Sequence, residues 1–333
     1  MDENKELQPL KSKTEVEKYL KKISSEEQIY SIALFDILGF SNFVEKNRTQ
    51  VILELYNKLL DLIHEEVSTK DGADSFATSA VPVPITKDWK QSVYIAEANA
   101  YINVCHFSDT FLIYVNYHLQ KPGFWLSTPK NEPYPLLLGE PGTPYYPAVY
   151  EKHSIYLSFL QTCMEFFCQA IISGIPLRGC ISTGLAIMDQ EKSIYLGTPI
   201  VEAARGETAQ NAIGIAFGRS FNNSHPVYND YFIPYMAHIK EGKERYMSPM
   251  MVDWARYWRN SPDYKNFSLK ECIEKMNTDP SFSSYYDNAI RFFEFSKRHE
   301  QWFHEIKRDG IHDILSYYDS VKEWYDTTCS MGK

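Results

Sequence analysis

The first strongly apolar stretch is YSIALFDI, residues 30–37, a run of strand length with a single charge near its end. A run of that kind predicts a buried strand. LGFSNF follows. Apolar positions Ile52, Leu55, Tyr56, Leu59 and Ile63 then recur at the spacing of one helix face, with Thr49 placed to cap it. NVCHF and TFLIYV flank Ser108-Asp109, and two β-rich runs around a two-residue polar turn predict a hairpin. A helix is expected over 154–173, with Leu160, Cys163, Met164, Phe167 and Ile171 as its buried stripe. LRGCISTGLAIM (177–188) and KSIYLG (192–197) predict a second hairpin, VEAARGETAQ (201–210) a helix, and IGIAFG (213–218) a strand. The order β-α-ββ-α-ββ-α-β predicts an α/β (α+β) fold, a ferredoxin-like core with an extra hairpin. Its antiparallel-rich sheet would leave one apolar face to cover.

Around this core, residues 1–27 are polar and read as an N-terminal arm or helix, with Val16, Tyr19, Leu20 and Ile23 in helical register. Two insertions interrupt the pattern, at about 68–97 and 119–152; the second holds seven of the 17 prolines, which excludes regular helix or central strand there. The core domain is therefore 28–220. Residues 221–333 are expected to form a helical region packed on it, because the chain after about 245 is aromatic at helical spacing. Those aromatic side chains read as packing, or as contact with a partner.

Charge and composition narrow the function. With 34 basic and 43 acidic residues the formal charge is −9, which argues against a nucleic-acid polymer as partner but leaves room for a local nucleotide pocket. Hydrophobic residues make up 44 %, enough for a full core. No apolar run reaches the roughly 18 residues of a membrane span, and MDENKELQPLKSK has no apolar signal-peptide segment. A cytoplasmic protein is expected, with its six cysteines as reduced core thiols, since none forms a CxxC pair. No HExxH occurs, and His299 and His304 are not on one helical face, so a zinc site is not expected.

Two aspartates carry the candidate chemistry. Asp36 closes an otherwise apolar strand, and Asp109 sits at a hairpin tip. In the expected fold these ends meet at one sheet edge, where two hard carboxylates suit Mg²⁺ or Mn²⁺. On its own, Asp109 is equally explained as a turn residue. Gly39 follows Asp36 by three residues, and the amides of 37–41 are placed to cradle phosphates; an ordinary tight turn explains the glycine as well. Arg205, in EAARGE, offers a guanidinium for a phosphate or a solvated helix face. Arg178, beside Gly179 in a strand, reads as a structural salt bridge.

FDILGF, FSDT, LRGCISTG and YLGTPIVEAAR together resemble the class III nucleotide cyclase catalytic domain over roughly 30–220. FDILGFS followed by GTPIVEA…Q…GI is similar to the bacterial pyrimidine cyclases of the Pycsar anti-phage system. The resemblance implies a homodimer with composite active sites and two Mn²⁺ or Mg²⁺ ions per site. Asp36, Asp109 and the Ile37 carbonyl match the metal-binding positions. Phe35, Leu38, Gly39, Phe40 and Ser41 match the triphosphate-cradling segment, and Arg205 the transition-state arginine, supplied by the partner subunit. Departures fall where purine cyclases read the base: Cys105 stands at the position of a Lys or Glu, and Ile194 at that of an Asp or Cys. Val201 replaces the transition-state asparagine. The resemblance therefore implies a uridylate or cytidylate cyclase making a second messenger for anti-phage defence. An inactive nucleotide-binding homologue and a purine cyclase are the competing readings. A diguanylate cyclase needs a GG[DE]EF turn where this chain has FSDT. Arg48, Gln50 and Asn103 are the candidate pyrimidine contacts.

Overall fold

Strand β1 (Gln28–Ile37) lies inside the sheet with a partner on each side, as its uninterrupted apolar run requires. The structure, a computed structural model, describes residues 25–69, 81–82, 92–93, 102–116, 155–220, 231–277 and 279–309. After β1 come α1 (Phe40–Lys46), α2 (Thr49–Thr69), the short β2 (Val81–Pro82) and β3 (Ser92–Val93), and the hairpin β4 (Asn103–Phe107) and β5 (Thr110–Asn116). Then follow α3 (Ile155–Ile172), β6 (Leu177–Asp189), β7 (Ile194–Gly197), α4 (Thr198–Ala209) and β8 (Gly214–Gly218). The chain continues through β9 (Phe232–Pro234), β10 (Met247–Val252), α5 (Trp254–Asn260), α6 (Leu269–Met276) and α7 (Ser283–Asp309).

The main sheet runs β4-β5-β1-β6-β8-β10-β9, with β7 folded back on β6. The run β4-β5-β1-β6 is antiparallel throughout and has the ferredoxin-like order. Among the described residues only β6 and β8 pair in parallel. The mixed α/β class and the antiparallel-rich sheet are thus as the hydrophobic pattern predicts.

Alternation divides β1 between two cores. Ala33, Phe35 and Ile37, with Phe111, Ile113 and Val115 of β5, pack against Leu59 and Ile63 of α2 and Phe166 and Phe167 of α3. Trp254, Trp258, Phe292 and Phe295 close that core, so these C-terminal aromatics are packing residues. Tyr30, Ile32 and Leu34 face the other way, with Leu112, Tyr114 and Cys180, beneath Ala203 of α4. A Cβ on Gly206 would fall 2.4 Å from Cys180 Sγ, so α4 approaches the sheet where only glycine fits.

Several expectations need correction. The second sheet face is not left open for a partner, because α4 and Tyr195 of β7 cover it. Strands β9 and β10 come from the region read as helical, so the sheet runs past residue 220. A separate helix, α1, precedes α2. Arg48, not Thr49, holds the capping position of α2: its carbonyl accepts from Val51 at 2.9 Å and Ile52 at 3.3 Å. The first insertion contains the paired strands β2 and β3. The N-terminal helical pattern, residues 119–152 and Cys329 lie outside the described residues. Cys105, Cys163, Cys168 and Cys180 are buried free thiols and Cys272 is half-buried. No helix among the described residues is long and apolar enough to cross a membrane.

Two buried histidines give the fold a pH signature. Burial holds the pKa of His238 down to about 3, and burial followed by the charge of Arg256 does the same for His299. Their unfolded value is about 6.5. Between these values the unfolded chain binds protons that the folded chain does not, so stability falls as pH drops from about 6.5 towards 3. Each histidine contributes up to about a tenfold change in the folding constant per pH unit in this window. Denaturant unfolding at pH 7 and pH 5 checks this: His238→Phe and His299→Phe should each lose less stability between the two pH values than the wild type.

Candidate active site

Asp36 is the penultimate residue of β1 and shares the face of Tyr30, Ile32 and Leu34. Register pairs it with Thr110 of β5 on one side and Arg178 of β6 on the other. Because Thr110 follows the β4–β5 turn, that pairing carries Asp109 to the end of β1, where the Ile37 amide donates to the Asp109 carbonyl at 3.3 Å. Ser108, beside it, adopts φ +53°, a left-handed conformation uncommon for a non-glycine residue. Hairpin geometry therefore brings the two carboxylates to one edge, as the sequence pattern predicts.

The electrostatics of Asp36 record this proximity. Its pKa lies above the usual carboxylate value, first because it is buried, next because of the charge on Asp109; Arg178 opposes both. Nη2 of Arg178 donates to Asp36 Oδ2 at 3.3 Å. Two adjacent carboxylates whose ionised forms repel one another fit a hard divalent cation. Among the described residues no three His, Cys, Asp or Glu side chains converge on one point. A cation held here by Asp36 and Asp109 would complete its shell with backbone, water and substrate oxygens, the habit of Mg²⁺ beside phosphates.

The turn after β1 is built for close approach. Gly39 has φ +76°, and a Cβ there would lie 2.9 Å from the Phe282 ring, so both conformation and space call for glycine. Of the five amides expected to face phosphate, two are engaged: Ile37 donates to Asp109 and Leu38 to the Pro176 carbonyl at 2.9 Å. The amides of Gly39, Phe40 and Ser41 have no hydrogen-bond partner among the described residues. Phe35 points away from this edge, with its ring buried 5.3 Å from that of Phe166.

The remaining sequence-predicted residues are more scattered. Cys105 is buried against Leu112 and Tyr114, and its thiol meets the Tyr195 hydroxyl; burial pushes its pKa up to about 12. Ile194, next to Tyr195, is exposed at the start of β7. Arg48 and Gln50 are exposed, and Gln50 bonds Glu54 at 3.3 Å. Asn103 begins β4. Arg205 lies on the solvent side of α4 with Val201, opposite Ala203, Gly206 and Glu207; no described contact joins it to Asp36 or Asp109.

Three residues were not assigned to this site from sequence. Tyr56, read as helix stripe, has its hydroxyl pKa raised by burial and then by the charge of Asp109. Arg178 does form the expected salt bridge, but to Asp36 and to Glu207 of α4. The signal for Arg178 was available, since antiparallel pairing of FDIL with LRGC sets opposite charges directly across two strands. Nothing in the local pattern of α4 marks Glu207.

No family model matches the chain, and no curated protein matches it. Among solved structures it is similar to a bacterial light-regulated adenylyl cyclase, at 12 % identity over 68 % of this chain and 88 % of that one, with a TM-score of 0.36. An adenylyl cyclase from P. aeruginosa aligns at 12 % identity over 58 % of this chain and 78 % of that one, with a TM-score of 0.31. A guanylyl cyclase aligns at 10 % identity over 68 % and 91 %, with a TM-score of 0.33.

If the paired carboxylates hold a cation, Mn²⁺ alone should stabilise the fold. Thermal unfolding should shift upward with Mn²⁺ by a few degrees, since a ligand at about a hundred times its Kd adds about 2.7 kcal/mol. Asp36→Asn and Asp109→Asn should each abolish the shift. A shift that persists in both variants places the cation elsewhere.

Proposed function

We propose that this chain is a pyrimidine nucleotide cyclase, converting UTP or CTP to the 3′,5′-cyclic monophosphate and pyrophosphate, with UTP favoured. It would act as a homodimer and supply a second messenger for bacterial anti-phage defence. The observation that carries the cyclase reading is the pairing of Asp36 and Asp109 at one sheet edge, beside a glycine turn where the amides of Gly39, Phe40 and Ser41 have no partner among the described residues. The choice of a pyrimidine and the defence role rest on the resemblance of FDILGFS and GTPIVEA.

The residues divide the work. Asp36 and Asp109, with the Ile37 carbonyl, would hold two Mn²⁺ or Mg²⁺ ions, which supply acidification of the ribose 3′-hydroxyl and charge neutralisation on the leaving group. The amides of Gly39, Phe40 and Ser41 donate to triphosphate oxygens and fix the α-phosphorus in line with the 3′-oxygen. The 3′-oxygen forms its bond to the α-phosphorus as the bond to the bridging oxygen of the β-phosphate breaks. Pyrophosphate leaves and the hydroxyl proton passes to solvent. Arg205 of the partner subunit stabilises charge growing on the α-phosphoryl oxygens, an effect worth about 3 kcal/mol for a preorganised donor. The outward position of Arg205 on α4 supports a role across an interface. Val201 on the same exposed side, at 49 % exposure, is an apolar position that a second copy would cover.

Base choice would follow from the wall around Cys105. Neither Cys105 nor Ile194 offers a charged group to a purine edge; the hydroxyl of Tyr195 meets the Cys105 thiol, and Asp189 pairs across from Ile194. A buried polar group left unpaired by the wrong pyrimidine loses about 1–3 kcal/mol. Incubation with all four nucleoside triphosphates and Mn²⁺, with products identified by mass, should give one cyclic pyrimidine nucleotide in roughly ten- to hundredfold excess over the other. A dominant cyclic purine product contradicts the pyrimidine reading. Nucleotide binding without product supports the inactive homologue.

The composite site has its own test. Asp36→Ala and Arg205→Ala should each be inactive as homodimers, and co-assembled they should recover one working site of two. No recovery after verified subunit exchange means that both residues act within one chain.

A further inference from the structure

Arg178 sits between two carboxylates that belong to different elements. Its Nη2 alone reaches both: Asp36 Oδ2 on β1 at 3.3 Å, and Glu207 Oε1 on α4. All three side chains are largely withdrawn from water, at 12 % exposure for Arg178, 22 % for Asp36 and 7 % for Glu207. Arg178 Nε is buried and has no hydrogen-bond partner among the described residues. The guanidinium lies over the Tyr285 ring of α7, 5.5 Å from its centroid, a face on which a flat cation can slide without losing contact. Lys240 packs on the same ring at 5.3 Å, and its Nζ donates to the Thr208 carbonyl at 2.8 Å, which fixes the end of α4 that carries Glu207.

The charges in this cluster do not balance on a single ion pair. Asp36 and Glu207 share one guanidinium, Asp109 adds a further negative charge beside Asp36, and Lys240 is committed to the α4 carbonyl end. A cation arriving at Asp36 and Asp109 must displace the charge already resting on Asp36 Oδ2. Glu207 already pairs with the same nitrogen, so loss of the Asp36 contact would not strand a buried cation.

We propose that Arg178 is a positioning residue for the metal-binding carboxylate: it bridges Asp36 and Glu207 while no cation is bound, and it lets go of Asp36 and stays on Glu207 when one binds, with Tyr285 as its platform. The inference rests on the reading of Asp36 and Asp109 as cation ligands. It gives Glu207 and the C-terminal helix α7 a part in the site, although neither touches substrate.

The test is Mn²⁺ binding to the full chain without nucleotide, followed by calorimetry or by loss of the free-ion electron paramagnetic signal. Burial lifts the pKa of Glu207 to about 7, so the titration is run at pH 8, where Glu207 is ionised. Glu207→Gln keeps the shape and removes the anionic alternative, so Arg178 stays on Asp36. Mn²⁺ binding should weaken about tenfold, the scale of one charge-assisted hydrogen bond. Adding Arg178→Gln to Glu207→Gln should restore wild-type affinity or better, because the competing cation is gone. Thermal unfolding verifies that each variant is folded, and Tyr285→Leu, which removes only the platform, gives a second route with a loss of affinity in the same direction. Wild-type affinity in Glu207→Gln, or a folded double variant that binds no better than the single one, overturns the proposal. If the wild type binds no Mn²⁺, or Asp36→Asn binds it equally well, the metal reading fails and this inference falls with it.

Discussion

The constraint on which the rest depends is the double pairing of β1. A strand hydrogen-bonded along both edges cannot slide by one residue without turning Tyr30, Ile32 and Leu34 into the α2–α3 core and Ala33, Phe35 and Ile37 out of it. That register fixes Asp36 as the only charge on its face of the strand, places Arg178 opposite it and delivers the Asp109 turn to its end. The site is thus a consequence of a core decision. Two buried faces lock the strand, and the locked strand aims the carboxylate.

Charge burial adds a second layer. Asp36 is largely withdrawn from water beside another carboxylate, an arrangement that favours protonation unless a cation answers it. The chain supplies one such answer internally in Arg178, held by Glu207 and Tyr285. Helix α7 therefore links the aromatic C-terminal core to the sheet edge. Phe292 and Phe295 anchor it among the buried rings, and Tyr285, nearer its start, reaches the guanidinium. Packing in a region without evident chemistry sets the position of the guanidinium beside the candidate carboxylates.

Much of this was legible in the sequence, for local reasons. The apolar run of 30–37, the two-residue hairpin turn at Ser108-Asp109 and the helical stripe of α3 are short-range patterns, and each became the element it predicts. Asp36 and Asp109 stand out as candidates because a charge ending an apolar strand and a charge at a hairpin tip are visible without tertiary information. What was missed depends on contacts between distant segments. Strand β10 falls in the region read as helical, and the neighbours β8 and β9 decide its strand conformation. Glu207 looks like any helix-face acid until α4 is laid over Cys180 through Gly206. The amides of Ile37 and Leu38 seemed free for phosphate because their acceptors, the Asp109 and Pro176 carbonyls, are far away in sequence.

The central claim is that Asp36 and Asp109 form one cation site at the edge of the sheet and that the glycine turn beside them receives a triphosphate. Its most direct test is a crystal structure of the full chain with Mn²⁺ and a non-hydrolysable UTP analogue, using anomalous scattering to locate the metal. The account predicts Mn²⁺ bridging the Asp36 and Asp109 carboxylates, with phosphate oxygens on the amides of Gly39, Phe40 and Ser41. Manganese bound away from both aspartates, or a nucleotide seated elsewhere on the fold, would contradict it.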